Sequence, residues 1–193
     1  MMKQIYDWTM RKAASENAPH ALFAVSFVES SFFPIPPDVM LVPMVLADRT
    51  KAWWYATLAT IGSVIGGAFG YAIGFYFFEA LGEPILRLYG KAESFNTFTQ
   101  WFNEWGVWII LAKGMTPFPY KVLTIAAGVA HMPFLAFMVA SVVARAMRFY
   151  LVAGLLYYFG EQIRDFIEKR LTLVMTLFLV ALIGGFVAIK FVL

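Results

Sequence analysis

The chain has 193 residues, of which 61% are hydrophobic, 18% aromatic and only 14% charged, and its mean hydropathy is +0.72. Fifteen basic and 12 acidic side chains cannot cover that much apolar surface in water, so an ordinary soluble domain is excluded and lipid is the expected solvent. Zero cysteines exclude disulfides and thiolate chemistry, two histidines (His20 and His131) are too few for a His-rich metal centre, and a net charge of +3 without a Lys/Arg run argues against nucleic acid.

From Met1 to Pro19 the chain is mixed polar and apolar, without a signal-type stretch, so the mature protein is expected to begin near Met1. The apolar segment Pro19 to Ala47 is interrupted by Glu29, Pro34, Pro36, Pro37, Asp38 and Pro43. Prolines this dense break helices, and non-helical backbone at membrane depth survives only in protein or beside a watery cavity. A re-entrant helical hairpin is the expectation.

Ala52 to Phe78 carries no charge and is long enough to cross a bilayer core of about 30 Å. Within it Gly62, Gly66, Gly70 and Gly74 share one face, which lets another helix approach closely. Glu79 to Glu104 is polar enough to leave the core. Its Phe95, Phe98, Trp101, Phe102 and Trp105 form the stripe of a helix in the membrane interface or of one packed on the protein.

Trp105 to Met132 is the second broken apolar segment, interrupted by Lys113, Pro117, Pro119 and Lys121. A third helix is expected from Phe134 to about Gly160, with Arg145 and Arg148 near its middle, where charge is costly unless it faces protein or water. Leu171 to Ile189, again free of charge, reads as a last transmembrane helix. The whole, 1–193, reads as one all-α integral membrane domain, with 161–193 a cytoplasmic loop and the final helix.

The two broken segments resemble each other. Phe32-Phe33-Pro34-Ile35-Pro36-Pro37-Asp38 aligns with Met115-Thr116-Pro117-Phe118-Pro119-Tyr120-Lys121, and each is preceded by a charge, Glu29 or Lys113. Paired broken segments in two halves point to a midplane site between inverted repeats. Loop charges restrict the topology. If both segments are hairpins, Lys3, Arg11, Lys12, Arg49, Lys51, Arg164, Lys169 and Arg170 oppose Arg87, Lys91 and Lys190, eight against three. If both cross fully the split is the same; if only the first is a hairpin, it is six against five. Charge says both or neither, with a cytoplasmic N-terminus, and the prolines favour hairpins.

At membrane depth Glu29 and Asp38 face Lys113, Lys121, Arg145 and Arg148, a surplus of two positive charges that an anion can offset. Arginine offers phosphate a planar fork of donors and lysine a compact charge. Buried carboxyls are also candidate proton carriers. No His-Glu-x-x-His, Gly-x-x-x-x-Gly-Lys-Ser/Thr or Gly-x-Ser-x-Gly motif is present, so no catalytic residue, metal or cofactor is expected.

Glu29, Phe33-Pro34-Ile35-Pro36-Pro37-Asp38, a Gly-rich helix, then Lys113 to Pro119, Lys121 and Ala127-Gly128 resemble the DedA family, also called SNARE-associated Golgi or VTT-domain proteins. The resemblance covers a core of about residues 20–160. It implies two oppositely facing membrane hairpins and a role in moving lipids between leaflets. In bacteria it further implies polyprenyl phosphate or phospholipid recycling, sensitivity to the proton-motive force, and envelope homeostasis in the inner membrane. The family's acidic pair falls on Glu29 and Asp38. Its basic pair, usually arginines, falls on Lys113 and Lys121, a departure that is similar to the YqaA-like branch and leaves the substrate open.

The resulting expectation is a flippase or scramblase for an anionic lipid, held by Lys113, Lys121, Arg145 and Arg148. Glu29 and Asp38 pair with these cations in the empty state, and Pro34, Pro36, Pro117 and Pro119 hold the hairpins open. A proton- or ion-coupled transporter of a small solute and a non-transporting scaffold are the alternatives; a homo-oligomer is compatible with each.

Overall fold

The computed structural model describes residues 15–31, 36–78, 80, 92–116 and 119–169, with side chains outside 92–95 and 164–169. All regular structure among these residues is helical: α1 (Ala18–Ser31), α2 (Asp38–Ala47), a 3-10 turn (Arg49–Lys51), α3 (Ala52–Phe77), α4 (Ala92–Gly114), α5 (Tyr120–Val129) and α6 (Phe134–Lys169). Pro34, Pro117 and the expected helix Leu171 to Ile189 lie outside the described residues.

Among the described residues two helical stretches are long and apolar enough to cross a membrane, Arg49–Phe77 and Phe134–Ile163. They run antiparallel. At one end Arg49 pairs with Glu161 at 2.7 Å, and the Trp53 ring lies 5.9 Å from that of Tyr150 and 5.8 Å from that of Tyr157. At the other, Tyr71 meets Phe134 and Phe137, and Phe75 meets His131. The connection between α3 and α6 therefore starts and finishes at the same end of the pair.

Both broken segments fold back on themselves. Ala18 and Leu22, at the start of α1, share one buried cluster with Leu41, Met44, Val45 and Leu46 of α2. In the second, the Asn103 side-chain amide of α4 donates to the Ala130 carbonyl just after α5, at 2.8 Å. The proline chemistry explains the restarts. Pro37 sits immediately before α2 with φ −60°, and its carbonyl accepts from Met40 and Leu41. Pro119 precedes α5 with φ −61°. Proline's fixed φ and missing N–H suit the start of a helix, whereas Pro43, expected to interrupt the segment, lies inside α2, which runs on through it to Ala47.

The glycine face of α3 receives both segments. A Cβ on Gly62 would lie 2.6 Å from the Phe23 carbonyl oxygen of α1, and one on Gly66 would collide with the Phe27 backbone. One on Gly70 would strike the Thr124 hydroxyl, and one on Gly74 the Ile125 backbone, both of α5. Gly128 of α5 answers from the other side, with no room for a Cβ beside the Tyr71 carbonyl. Close backbone approach is what a small-residue stripe permits in lipid, where apolar side chains gain nothing by avoiding hydrocarbon.

Two boundaries differ from the sequence expectation. Ala92 to Gly114 is one continuous helix, where an interfacial helix to Glu104 and a separate segment from Trp105 were expected. No proline lies between residues 104 and 114, and Gly106 packs against Phe102 and Met132, so the helix continues. The expected aromatic stripe divides accordingly: Phe102 is buried and Phe98 half-buried, while Trp101 and Trp105 are exposed together with Trp108. The side chain of Phe95 lies outside the described residues. Helix α6 also runs past Gly160 to Lys169, through good helix formers such as Glu161, Gln162 and Glu168.

Candidate functional site

The end of α1 and the first turns of α5, one from each broken segment, meet at mid-height on α3. The Thr124 hydroxyl of α5 donates to the Ser30 carbonyl of α1 at 3.1 Å, and the Ser31 hydroxyl donates to the Gly66 carbonyl at 3.0 Å. Into this junction α6 sends Arg145 and Arg148, about 17 and 21 Å along a span of about 45 Å at 1.5 Å rise per residue. The charges therefore sit near the middle of the span.

Each arginine holds one carboxylate. Arg145 is 2% exposed and its guanidinium lies 3.2 Å from Glu29. Its Nε donates to the Ser63 hydroxyl at 2.5 Å, and its guanidinium carbon lies 4.5 Å from the Tyr120 ring centre and 4.7 Å from that of Phe149. Two serines close a ring. Ser63 and Ser30 hydroxyls are 2.6 Å apart, and Ser30 donates to Glu29 at 3.1 Å. Because Nε can only donate, Ser63 accepts from it and passes its own proton to Ser30, which donates to the carboxylate. Two donor paths leave Arg145, one direct and one through the serines, and both end on the negative charge.

Arg148 is arranged differently. It lies 2.6 Å from Asp38, the first residue of α2, and a second nitrogen donates to the Thr116 carbonyl at 2.5 Å. One arginine thus ties the restart of the first broken segment to the break of the second. Its Nε is buried and has no hydrogen-bond partner among the described residues, and neither do the buried hydroxyls of Tyr120 and Ser141.

The structure brings together four of the six expected charged residues as two ion pairs, Glu29 with Arg145 and Asp38 with Arg148. The lysines do not take the carboxylates in these pairs. Lys113 is exposed in the last turn of α4, where its carbonyl accepts from Thr116, and Lys121 is half-buried in the first turn of α5. The physical reason is reach. Glu29 and Asp38 pack against the face of α6 that carries both arginines, and the Arg fork satisfies two acceptors at once, as Arg148 does with Asp38 and Thr116. Ser30, Ser63 and Thr124 escaped the sequence reading. Ser63 follows Gly62 on the packing stripe, and Ser26 and Ser30 are spaced four apart near Glu29. Hydroxyls lying along a small-residue face beside a buried charge are the signal that would have found them.

Residues 35–158 match the model of the VTT domain. A Haemophilus influenzae protein, described as uncharacterized, is 41% identical over 170 residues, covering 88% of each chain. A Methanocaldococcus jannaschii protein, also uncharacterized, is 25% identical over 129 residues, 66% of this chain and 76% of its own. Undecaprenyl phosphate transporter A of Bacillus subtilis is 31% identical over 97 residues, 46% of this chain and 49% of that protein. No solved structure matches. The chain belongs to the VTT-domain, or DedA, family of membrane proteins.

Proposed function

We propose that this member of the VTT-domain family moves an anionic, phosphate-bearing lipid, a polyprenyl phosphate or a phospholipid, between the leaflets of a bacterial inner membrane. The observation that carries the reading is the charge centre formed by Arg145, Arg148, Glu29 and Asp38 at mid-depth, where two broken helical segments meet. Ionisable groups at that depth are expensive, and they mark transport pathways rather than packing. The similarity over 97 residues to the relative named undecaprenyl phosphate transporter A supports a phosphate-bearing lipid as the substrate class.

In this reading the two broken segments are oppositely facing re-entrant hairpins related as an inverted repeat, with the site between them. Antiparallel α3 and α6, with both segments folded back against them, support it. Lys113 and Lys121 lie on the second segment, where they add positive charge along the path of an anionic headgroup. Glu29 and Asp38 are the groups on which a proton could couple the cycle.

The test is movement of a labelled polyprenyl phosphate and of labelled phosphatidylglycerol across proteoliposome membranes, with and without a pH gradient. Movement above protein-free vesicles, lost in Arg148→Gln, supports the proposal. Rates equal to empty vesicles for every anionic lipid would overturn it. A pH gradient that changes the rate supports proton coupling, and an unchanged rate removes that part.

A further inference from the structure

Arg145 and Arg148 stand one turn apart on α6 and each holds a carboxylate, yet their surroundings differ in every respect that governs release. Arg145 is enclosed: 2% exposed, paired with Glu29, anchored through Nε to Ser63 and covered by the Tyr120 and Phe149 rings. The Ser63–Ser30–Glu29 ring converges on the same carboxylate, so opening this pair also breaks a hydroxyl chain shared by three helices. The Arg148 side chain is 18% exposed and that of Asp38 23%, and the Arg148 Nε carries a hydrogen that no described group accepts.

The helix ends strengthen the contrast. Glu29 lies in the last turn of α1, where the helix dipole disfavours a negative charge, so Glu29 depends on Arg145. Asp38 lies in the first turn of α2, where the dipole favours a negative charge, so Asp38 keeps part of its stabilisation when Arg148 leaves. Opening the first pair strands two buried charges. Opening the second strands one, and an incoming phosphate satisfies it.

We infer that the two arginines divide the work: Arg145 is a fixed post held by Ser63 and Ser30 as positioning residues, and Arg148 is the arginine that exchanges Asp38 for a phosphate group. The inference rests on the lipid-transport reading and names which residue of that site takes the headgroup. A phosphate monoester or diester at Arg148 can use the idle Nε together with a terminal nitrogen, the edge that suits two oxygens side by side. The exchange has a mechanical consequence. Arg148 now spans Asp38 and Thr116, one from each broken segment, so a phosphate in place of Asp38 unties the two segments while Arg145 keeps α1, α3 and α6 together.

The experiment uses the full-length protein in nanodiscs of zwitterionic lipid, titrated with a polyprenyl phosphate, with phosphatidylglycerol and with inorganic phosphate, and reads the melting temperature. For wild type the melting temperature should rise with lipid concentration and give a half-saturating value. Arg148→Lys, which keeps the charge and loses the fork, should raise that value by at least about tenfold. Ser63→Ala should lower the melting temperature without lipid and leave the half-saturating value within about twofold. Ser30→Ala should do the same, so either variant serves if the other fails to accumulate.

Equal loss of lipid affinity in the Arg148 and Ser63 or Ser30 variants overturns the division of labour and leaves the transport reading standing. Unchanged affinity in Arg148→Lys overturns it as well. No shift for wild type with any anionic probe overturns both. A shift that inorganic phosphate does not reproduce assigns the ligand to the lipid. The same Arg148-dependent shift with inorganic phosphate keeps Arg148 as the acceptor and counts against the transport reading alone.

Discussion

The ion pair between Arg145 and Glu29 lends itself to a quantitative test, because its two side chains are only 3% and 13% exposed. Arg145→Gln leaves the Glu29 carboxylate in a largely dry site with the Ser30 hydroxyl as its remaining described donor. Glu29→Gln leaves an arginine that is 2% exposed facing a neutral amide. Breaking a buried pair from one side costs about 3–5 kcal/mol, and the lost ring contacts of Arg145 add about 0.5–1 kcal/mol each to its side of the cycle. The double variant removes both charges together and should cost less than the two singles summed, by about 2 kcal/mol. The assay is reversible unfolding in mixed micelles followed by tryptophan fluorescence, for wild type, the two singles and the double. Additivity within about 0.5 kcal/mol would refute the reasoning, since it would mean that neither group depends on the other.

Other perturbations separate surface from interior. The Arg49–Glu161 pair, with side chains 37% and 80% exposed, should contribute at most about 1 kcal/mol, so Glu161→Gln should unfold close to wild type in the same assay. Gly66→Ala should destabilise by about 1–3 kcal/mol because its methyl meets the Phe27 backbone, whereas Gly67→Ala, whose nearest neighbours are side-chain atoms at 3.3 and 3.4 Å, should be tolerated better. Hydrogen bonds from Thr50, and then the neighbouring Lys51 ammonium, hold the Asp48 carboxyl below its ordinary pKa of 3.8. Its contribution is therefore present above that value and lost as pH falls through the lower folded one, so wild type and Asp48→Asn should differ in acid-unfolding curves above about pH 4 and converge only as pH falls well below it. Single cysteines at Thr50 and Glu161 should both resist an impermeant maleimide in intact cells while one at His131 reacts; labelling at position 50 with protection at 161 would refute the hairpin topology.

The sequence carries the long elements plainly, since Ala52 to Phe77 is an uninterrupted apolar run, the helix from Phe134 to Gly160 carries only Arg145 and Arg148 as charges, and both are long enough to cross a bilayer. It also carries the two breaks, because Pro36, Pro37 and Pro119 cannot sit inside a helix without disrupting it. Choice of partner is another matter. Composition counts Lys113, Lys121, Arg145 and Arg148 as equal candidates for Glu29 and Asp38, and only the azimuth of α6 against α1 and α2 selects the arginines. The continuity of α4 was hidden for a similar reason. A change from polar to apolar composition near Trp105 marks a change of solvent, and a helix crosses such a boundary without stopping. Ser30 and Ser63 read as ordinary small residues until the fold sets their hydroxyls 2.6 Å apart.

The glycine face of α3 and the charge centre have one cause in common. Gly62 and Gly66 draw α1 close, Gly70 and Gly74 draw α5 close, and the point where the two helices meet on α3 is where Ser63 can reach Arg145. A bulkier stripe would hold α1 and α5 away, and the carboxylate of Glu29 would not reach the guanidinium. Close packing therefore creates the low-dielectric junction that makes the buried charges costly, and it also supplies the hydroxyls that offset part of that cost. A site built this way cannot release a single charge into a dry interior. It can change state by exchanging one anion for another, and Arg148, joined to both broken segments through Asp38 and Thr116, is where an exchange of partners is felt by both at once.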